Sequence, residues 1–277
     1  KIDSIFLNPT SNTLFDVKDI YYFENNDDSN DNKYEEKEEF YLRKSMEKGN
    51  LYSTYLYAKI LLKKGQIQYI YKYLKDAKDS EYKNLKYYYA KCLQETPNSD
   101  KEYIKEMINE AAKGECYEAI YEEGEELFET DSNSSWSKIY LAAKSGIDTA
   151  CLKYGKYIIK SNVNKGKYFL KLCAYKIPEA KYILSSYSDN IEDQMKQLKK
   201  AADEGFSKAS YLYGYSKYNE GDIETAVKYF KKSSDPSSFL YLAHCFFLQN
   251  LKMTKSSKDQ CSHYIKLAID SNITQAY

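Results

Sequence analysis

With 41 Lys and Arg against 41 Asp and Glu in 277 residues, the chain has no formal net charge. A sequence pI near 6.9 gives it no global attraction for nucleic acid or an anionic membrane surface. Only 10 Gly and 4 Pro are present, too few for turn-dense all-β folds or glycine-rich nucleotide loops, so an all-helical chain is expected, extended or divided because its length approaches the limit of one compact core.

In chain order, residues 1–23 carry apolar positions from Ile2 to Phe23, as would the tail of an upstream domain or a capping helix. Residues 24–39 follow with eight acidic and two basic residues and no aliphatic side chain, which reads as a solvated linker. The first 33 residues are therefore set apart as an N-terminal segment and acidic linker, with a helical array over 34–277. A first residue that is Lys, and a last stretch, ITQAY, that stops inside an unfinished repeat, suggest a piece of a longer protein.

From residue 34 onward the chain repeats, and small side chains are the ruler. One series is Ser45, Ala77, Ala111, Ala142, Cys173, Ala201, Ser233 and Ala268, with steps of 28 to 35 residues. A second runs in step with it: Ala58, Ala90, Gly124, Gly155, Ser185, Gly214 and Ala243. Three residues before each member of the first series stands an apolar side chain, as at Ile139, Leu170 and Phe230. Two antiparallel helices approach closely where short side chains meet, so both series mark helix crossings. Between them lies a turn, clearest in AAKSGIDTACLKYGKY and AADEGFSKASYLYGYSKY. There Gly146 and Gly205 would take the left-handed conformation that ends a helix, with Gly49 and Gly114 placed comparably. A glycine inside a helix costs about 1 kcal/mol relative to Ala, so Gly155 and Gly214 imply a compensating close approach.

The strings AAKSGIDTACLKYG and AADEGFSKASYLYG resemble the A-A-x-x-G-x-x-x-A-x-x-x-L-G core of the SEL-one-like repeat (SLR) family, a tetratricopeptide-like helical repeat. On this resemblance Ala142, Gly146, Ala150, Gly155, Ala201, Gly205, Ala209 and Gly214 are the structural repeat positions. The fold it implies is an all-α, right-handed α-α superhelix, a solenoid of about eight short helix-turn-helix repeats with the last incomplete. The function it implies is protein–protein interaction. Two forms of that function are open: a cytoplasmic scaffold or adaptor, which can be appended to a catalytic domain such as a kinase, and the luminal substrate-recruiting component of an ER-associated degradation ubiquitin ligase.

Chemistry is sparse. The sequence holds no P-loop, G-x-G-x-x-G, H-E-x-x-H, G-x-S-x-G or kinase signature, so no enzyme activity and no cofactor are expected. His244, Cys245, Cys261 and His263 are the one set that could supply zinc ligands, in a spacing that matches no standard zinc signature. Cys261 equally fills a small-residue slot seven before Ala268, as Ala226 does before Ser233, and no metal is assigned. The six cysteines never form C-x-x-C, which suits a reducing compartment. The sequons at Asn133 and Asn272 would matter only in a secretory protein. No apolar run is long enough to cross a bilayer.

Tyrosine is abundant, at 32 residues, and serves either as wedges between helices or as contact surface for a ligand. Positions three, six and ten after the small residue that opens each first helix share one side of the wheel. They give an acidic stripe, Glu122, Glu125 and Glu129, beside a basic stripe, Lys153, Lys156 and Lys160. In solenoids of this type the first helix of each pair lines the concave surface, so the stripes read as a charge-patterned groove for other proteins or peptides, with no role for nucleic acid. The competing reading is neighbouring helices that trade weak surface ion pairs.

Overall fold

The structure, a computed structural model, describes residues 31–250 and 255–271. Among these every regular element is helical: fifteen α-helices and one short 3-10 helix. They are α1 (Asp31–Glu47), α2 (Leu51–Lys63), the 3-10 helix Ile67–Ile70, α3 (Tyr71–Ala77), α4 (Lys83–Gln94), α5 (Lys101–Lys113), α6 (Tyr117–Glu126) and α7 (Ser132–Lys144). Then come α8 (Asp148–Ile158), α9 (Val163–Cys173), α10 (Pro178–Ser185), α11 (Ile191–Asp203), α12 (Ser207–Asn219), α13 (Ile223–Lys232), α14 (Ser237–Asn250) and α15 (Lys255–Asp270). The apolar positions expected over residues 1–23 and the unfinished repeat at 273–277 lie outside the described residues. The acidic segment differs from expectation: α1 begins at Asp31, so residues 31–39 are helical rather than a linker. Glu and Lys are strong helix formers, and the helix is anchored further along, where Ser45 and Met46 are buried, and by an ion pair from Glu39 to Lys64.

The chain divides into two compact units between Met107 and Ile108. In the first, α1 packs on α2, and α2 on α4. Ser53 Oγ on α2 donates to Ser45 Oγ on α1 at 2.8 Å, both buried, so a member of the repeat pattern is tied directly to the helix that follows it. Rings fill the space alongside: Tyr88 is nearly fully buried and lies edge-on to Tyr55 and Tyr87.

In the second unit each helix from α6 to α15 packs on the next in sequence. All fifteen members of the two small-residue series, across both units, are buried. What they face differs from a crossing of small against small. A Cβ on Gly155 of α8 would lie 2.8 Å from Leu170 Cγ of α9. On Gly214 of α12 it would lie 3.0 Å from the Phe230 ring of α13, and on Gly124 of α6, 3.1 Å from Ile139 Cγ1 of α7. Each glycine is thus a socket for the apolar residue that stands three before the next small residue. The pattern of large and small on facing helices is one knob-and-hole joint, repeated. Gly166 of α9 makes a closer approach still, since a Cβ there would sit 2.4 Å from Ile159 Cβ and 2.5 Å from its Cα.

The turns explain the other small residues. Gly146 (φ 92°) donates its N–H to Ala143 O, and Ile147 donates to Ala142 O. Gly205 (φ 89°) and Phe206 do the same to Ala202 and Ala201. This is the Schellman closure, in which a left-handed residue lets the last carbonyls of a helix find donors. In the α5–α6 turn the left-handed residue is Glu115 (φ 63°), one later than the Gly114 expected, because Glu115 is the residue whose N–H reaches Ala112 O while Cys116 reaches Ala111 O.

Second helices start differently. Asp131, Asn162, Asn190 and Asp222 each accept a hydrogen bond from the backbone N–H three residues on, capping α7, α9, α11 and α13. Hydrogen bonds from Ser134 hold the Asp131 carboxyl below the usual carboxylate range.

Candidate partner-binding face

Once the seam has taken one side of each first helix of the second unit, the opposite side is left to solvent. The positions three, six and ten after the opening small residue are half-buried or exposed in all five first helices, α6, α8, α10, α12 and α14, or just beyond their ends. The opening residues themselves, Ala119, Ala150, Ala180, Ala209 and Ser238, are fully buried. The chemistry of the exposed positions changes along the chain: acidic on α6, basic on α8, then Ile183, Ser186 and Asn190, then Leu212, Tyr215 and Asn219, and finally Tyr241, His244 and Leu248.

The structure brings the two charged stripes together and pairs much of their charge. Lys153 Nζ lies 2.5 Å from Glu125 Oε1 and 4.6 Å from the centroid of the Phe128 ring, so one ammonium meets a carboxylate and an aromatic face. Lys156 Nζ reaches Glu179 Oε1 on α10 at 2.7 Å, and Lys181 of α10 pairs with Glu204 beyond α11. Every one of these groups keeps contact with water, so each pair contributes at most about 1 kcal/mol. Glu122 is half-buried, while Glu129 and Lys160 are exposed near the ends of their stripes.

Aromatic side chains take over at the other end. On α12 and α14 the rings of Tyr211, Tyr215 and Tyr218 surround Tyr241 at centroid distances of 6.0, 5.2 and 5.4 Å. The Tyr218 hydroxyl and His244 Nδ1 share a hydrogen bond, and His244 stacks on Phe247 at 6.4 Å. Burial pushes the Tyr241 hydroxyl up to about 12, with Tyr211 and Tyr215 adding to the shift, so it stays protonated at any physiological pH. The wheel rule that gave the charged stripes also selects Tyr215, Tyr241 and His244. Reading the wheel for charge alone misses them.

The remaining candidates separate. His244 is exposed and tied to Tyr218, whereas its neighbour Cys245 is fully buried beside Ala226, Phe230 and Leu242. Cys261 packs on that same core, and His263 is exposed against Tyr264. Successive helix residues point about 100° apart, so the two Cys–His pairs send their members in different directions. Among the described residues no three His, Cys, Asp or Glu side chains converge as a metal site requires. Burial raises the thiols of Cys151 and Cys245 to about 11 and those of Cys116 and Cys173 to about 12, which leaves them protonated and unreactive at neutral pH. No helix among the described residues is long and apolar enough to cross a membrane.

No protein-family model matches the sequence, and no curated protein does. Solved structures do match the fold. A protective antigen of uropathogenic Escherichia coli displaying an SLR fold superposes with a TM-score of 0.60 at 12% identity, over 86% of this chain and 57% of that one. A Sel1 repeat protein from Oxalobacter formigenes gives 0.60 at 14% identity, over 77% and 96%. This chain therefore spans little more than half the length of the E. coli protein. It has the all-helical repeat fold of SLR proteins.

Proposed function

We propose that this SLR-type array is a non-catalytic scaffold or adaptor that binds other proteins or peptides through the face of its first helices. The observation that carries the reading is that the same three positions stay half-buried or exposed in, or just beyond, five successive first helices, while their chemistry varies from acidic to basic to polar and aromatic. A repeat fold keeps its seam constant for stability and is free to vary the face it offers to partners. Partially paired stripes suit this role, because Glu129 and Lys160 still extend charge beyond the pairs and favour partners of complementary pattern. A cytoplasmic setting accords with buried free thiols at Cys92, Cys116, Cys151, Cys173 and Cys245. It also accords with an Asn133 sequon whose hydroxyl residue, Ser135, is fully buried and bonded to Gly124 O. Neither nucleic-acid binding nor membrane insertion is part of the reading.

The test is selection of peptide ligands from a random displayed library on the full chain, followed by affinity measurement on variants. Reversing Lys153, Lys156 and Lys160 to Glu, or truncating Tyr215 and His244 to Ala, should weaken the selected ligands about tenfold or more, as loss of interface anchors does. Reversal of Lys144 and Lys171, exposed on second helices, should leave them unchanged. Ligands indifferent to the first-helix face would end the reading.

A further inference from the structure

Charge in the second unit is sorted between its two kinds of helix. The second helices α7, α9, α11 and α13 hold eleven lysines against four carboxylates, whereas the first helices α6, α8, α10, α12 and α14 hold five lysines against seven. A chain that is neutral overall thus carries a basic side. Contacts set the second helices in a row: Lys165 of α9 lies over the Tyr140 ring of α7 at 4.7 Å, Lys167 of α9 reaches Asp189 just before α11 at 3.5 Å, and Tyr229 of α13 donates to Asp203 of α11 at 2.8 Å. Lys196, Lys199 and Lys200 of α11 and Lys228, Lys231 and Lys232 of α13 are all exposed. Lys232 pairs with Asp203 at 3.3 Å, and the other five form no ion pair among the described residues. Beside them lie apolar side chains that no neighbour covers: Leu141 of α7 is 44% exposed, and Tyr168, Leu172 and Tyr175, on or just beyond α9, are 59, 38 and 65% exposed. Leu141 and Leu172 stand one residue before the buried small residue of their repeat, where α11 and α13 carry Lys200 and Lys232. Apolar and basic side chains therefore share one side of the row.

We propose that this side of the second helices binds the surface of a bilayer containing anionic phospholipid, peripherally and without spanning it. Charge complementarity sets the sign of the ligand: a row of lysines in excess over carboxylates is drawn to a layer of negative headgroups, which move laterally to meet each ammonium. The apolar members set its kind. Protruding leucines and tyrosines need no shaped pocket at the boundary between headgroups and acyl chains, where a tyrosine ring sits with its hydroxyl toward water. Lysine stems lie along the same boundary while their ammonium groups reach the phosphates. A nucleic acid would engage the lysines through its phosphates and leave Leu141 and Leu172 in water. The two docking roles use different helices, so the first-helix face stays available to a protein ligand while the second helices rest on a membrane.

The experiment is co-sedimentation of the full chain with vesicles of phosphatidylcholine alone and of phosphatidylcholine with about 30% phosphatidylserine, the anionic lipid that gives a membrane its negative surface potential. Binding to the anionic vesicles should exceed that to the neutral ones about tenfold or more, and should fall at least about fivefold between roughly 100 and 500 mM salt. The double variant Lys196→Glu, Lys200→Glu should weaken it about tenfold or more, and Tyr168→Ser with Leu172→Ser about threefold or more, with thermal melts preserved because all four side chains are exposed. Using two pairs protects the result against one that fails to fold. Equal sedimentation with neutral vesicles, or indifference to both pairs, would overturn the proposal. So would a duplex oligonucleotide that binds as tightly as the anionic vesicles and needs the lysines but neither Tyr168 nor Leu172, since the side would then serve nucleic acid. None of these outcomes touches the first-helix face, whose peptide ligands are tested separately.

Discussion

Two regions of the second unit, the seam between paired helices and the face its first helices turn to solvent, are drawn from the same short segments yet obey opposite rules. At the seam Gly124, Gly155 and Gly214 each receive one apolar side chain from the following helix, and a single added methyl group meets atoms at about 3 Å. On the face the equivalent positions hold side chains as different as Glu, Lys, Ile, Ser, Asn, Leu, Tyr and His. Close packing tolerates little variation in volume, whereas solvent tolerates nearly any side chain. The seam is therefore where substitution should cost stability, and the face where it should cost binding.

The sharpest way to break that contrast is at Gly166. Its neighbour on the far side of the joint is partly Ile159 backbone, which cannot rotate away, so Gly166→Ala should destabilise by about 3 kcal/mol, with Gly155→Leu and Ala142→Leu at about 2. Urea melts of the variants measure this directly. If they unfolded like the parent, the seam geometry would be wrong.

A smaller effect of opposite sign should come from two places where the seam or its turns are imperfect. Ser238 occupies the fully buried opening position that is Ala in α6, α8, α10 and α12, and its hydroxyl has no hydrogen-bond partner. Ser238→Ala should stabilise by about 1 kcal/mol. Glu115→Gly should gain about 0.5 kcal/mol by relieving a left-handed backbone that glycine adopts without strain, less the entropy glycine costs. An unchanged melting temperature in both would show that neither site carries a penalty.

The smallest effect belongs to the face. Lys153→Leu removes the pair with Glu125, in which both side chains remain partly solvated, and should shift stability by no more than about 0.5 kcal/mol. A loss as large as that at Gly155 would move Lys153 from the face into the structural joint.

Much of this was legible in the sequence, for different reasons at different residues. Ala142, Ala150, Ala201 and Ala209 were readable as buried because a helical repeat needs small volume at fixed intervals, and Gly146 and Gly205 because a left-handed turn needs glycine. The capping residues Asp131, Asn162, Asn190 and Asp222 recur at the same period, a signal that a ruler of small side chains does not register. Glu115 was not legible: propensity placed the turn on Gly114, and hydrogen-bond register overruled it.

What the amino-acid order decided by itself was the period, the helical pairs and the side of each helix that is buried, since all three follow from volume and backbone preference within a few turns of chain. Only the tertiary structure decided what meets what. It set Leu170 against Gly155, joined Lys153 to Glu125 and Phe128, and gathered Tyr211, Tyr215 and Tyr218 around Tyr241. These contacts depend on the rotation and offset of neighbouring helices, which side-chain packing sets and no local pattern encodes.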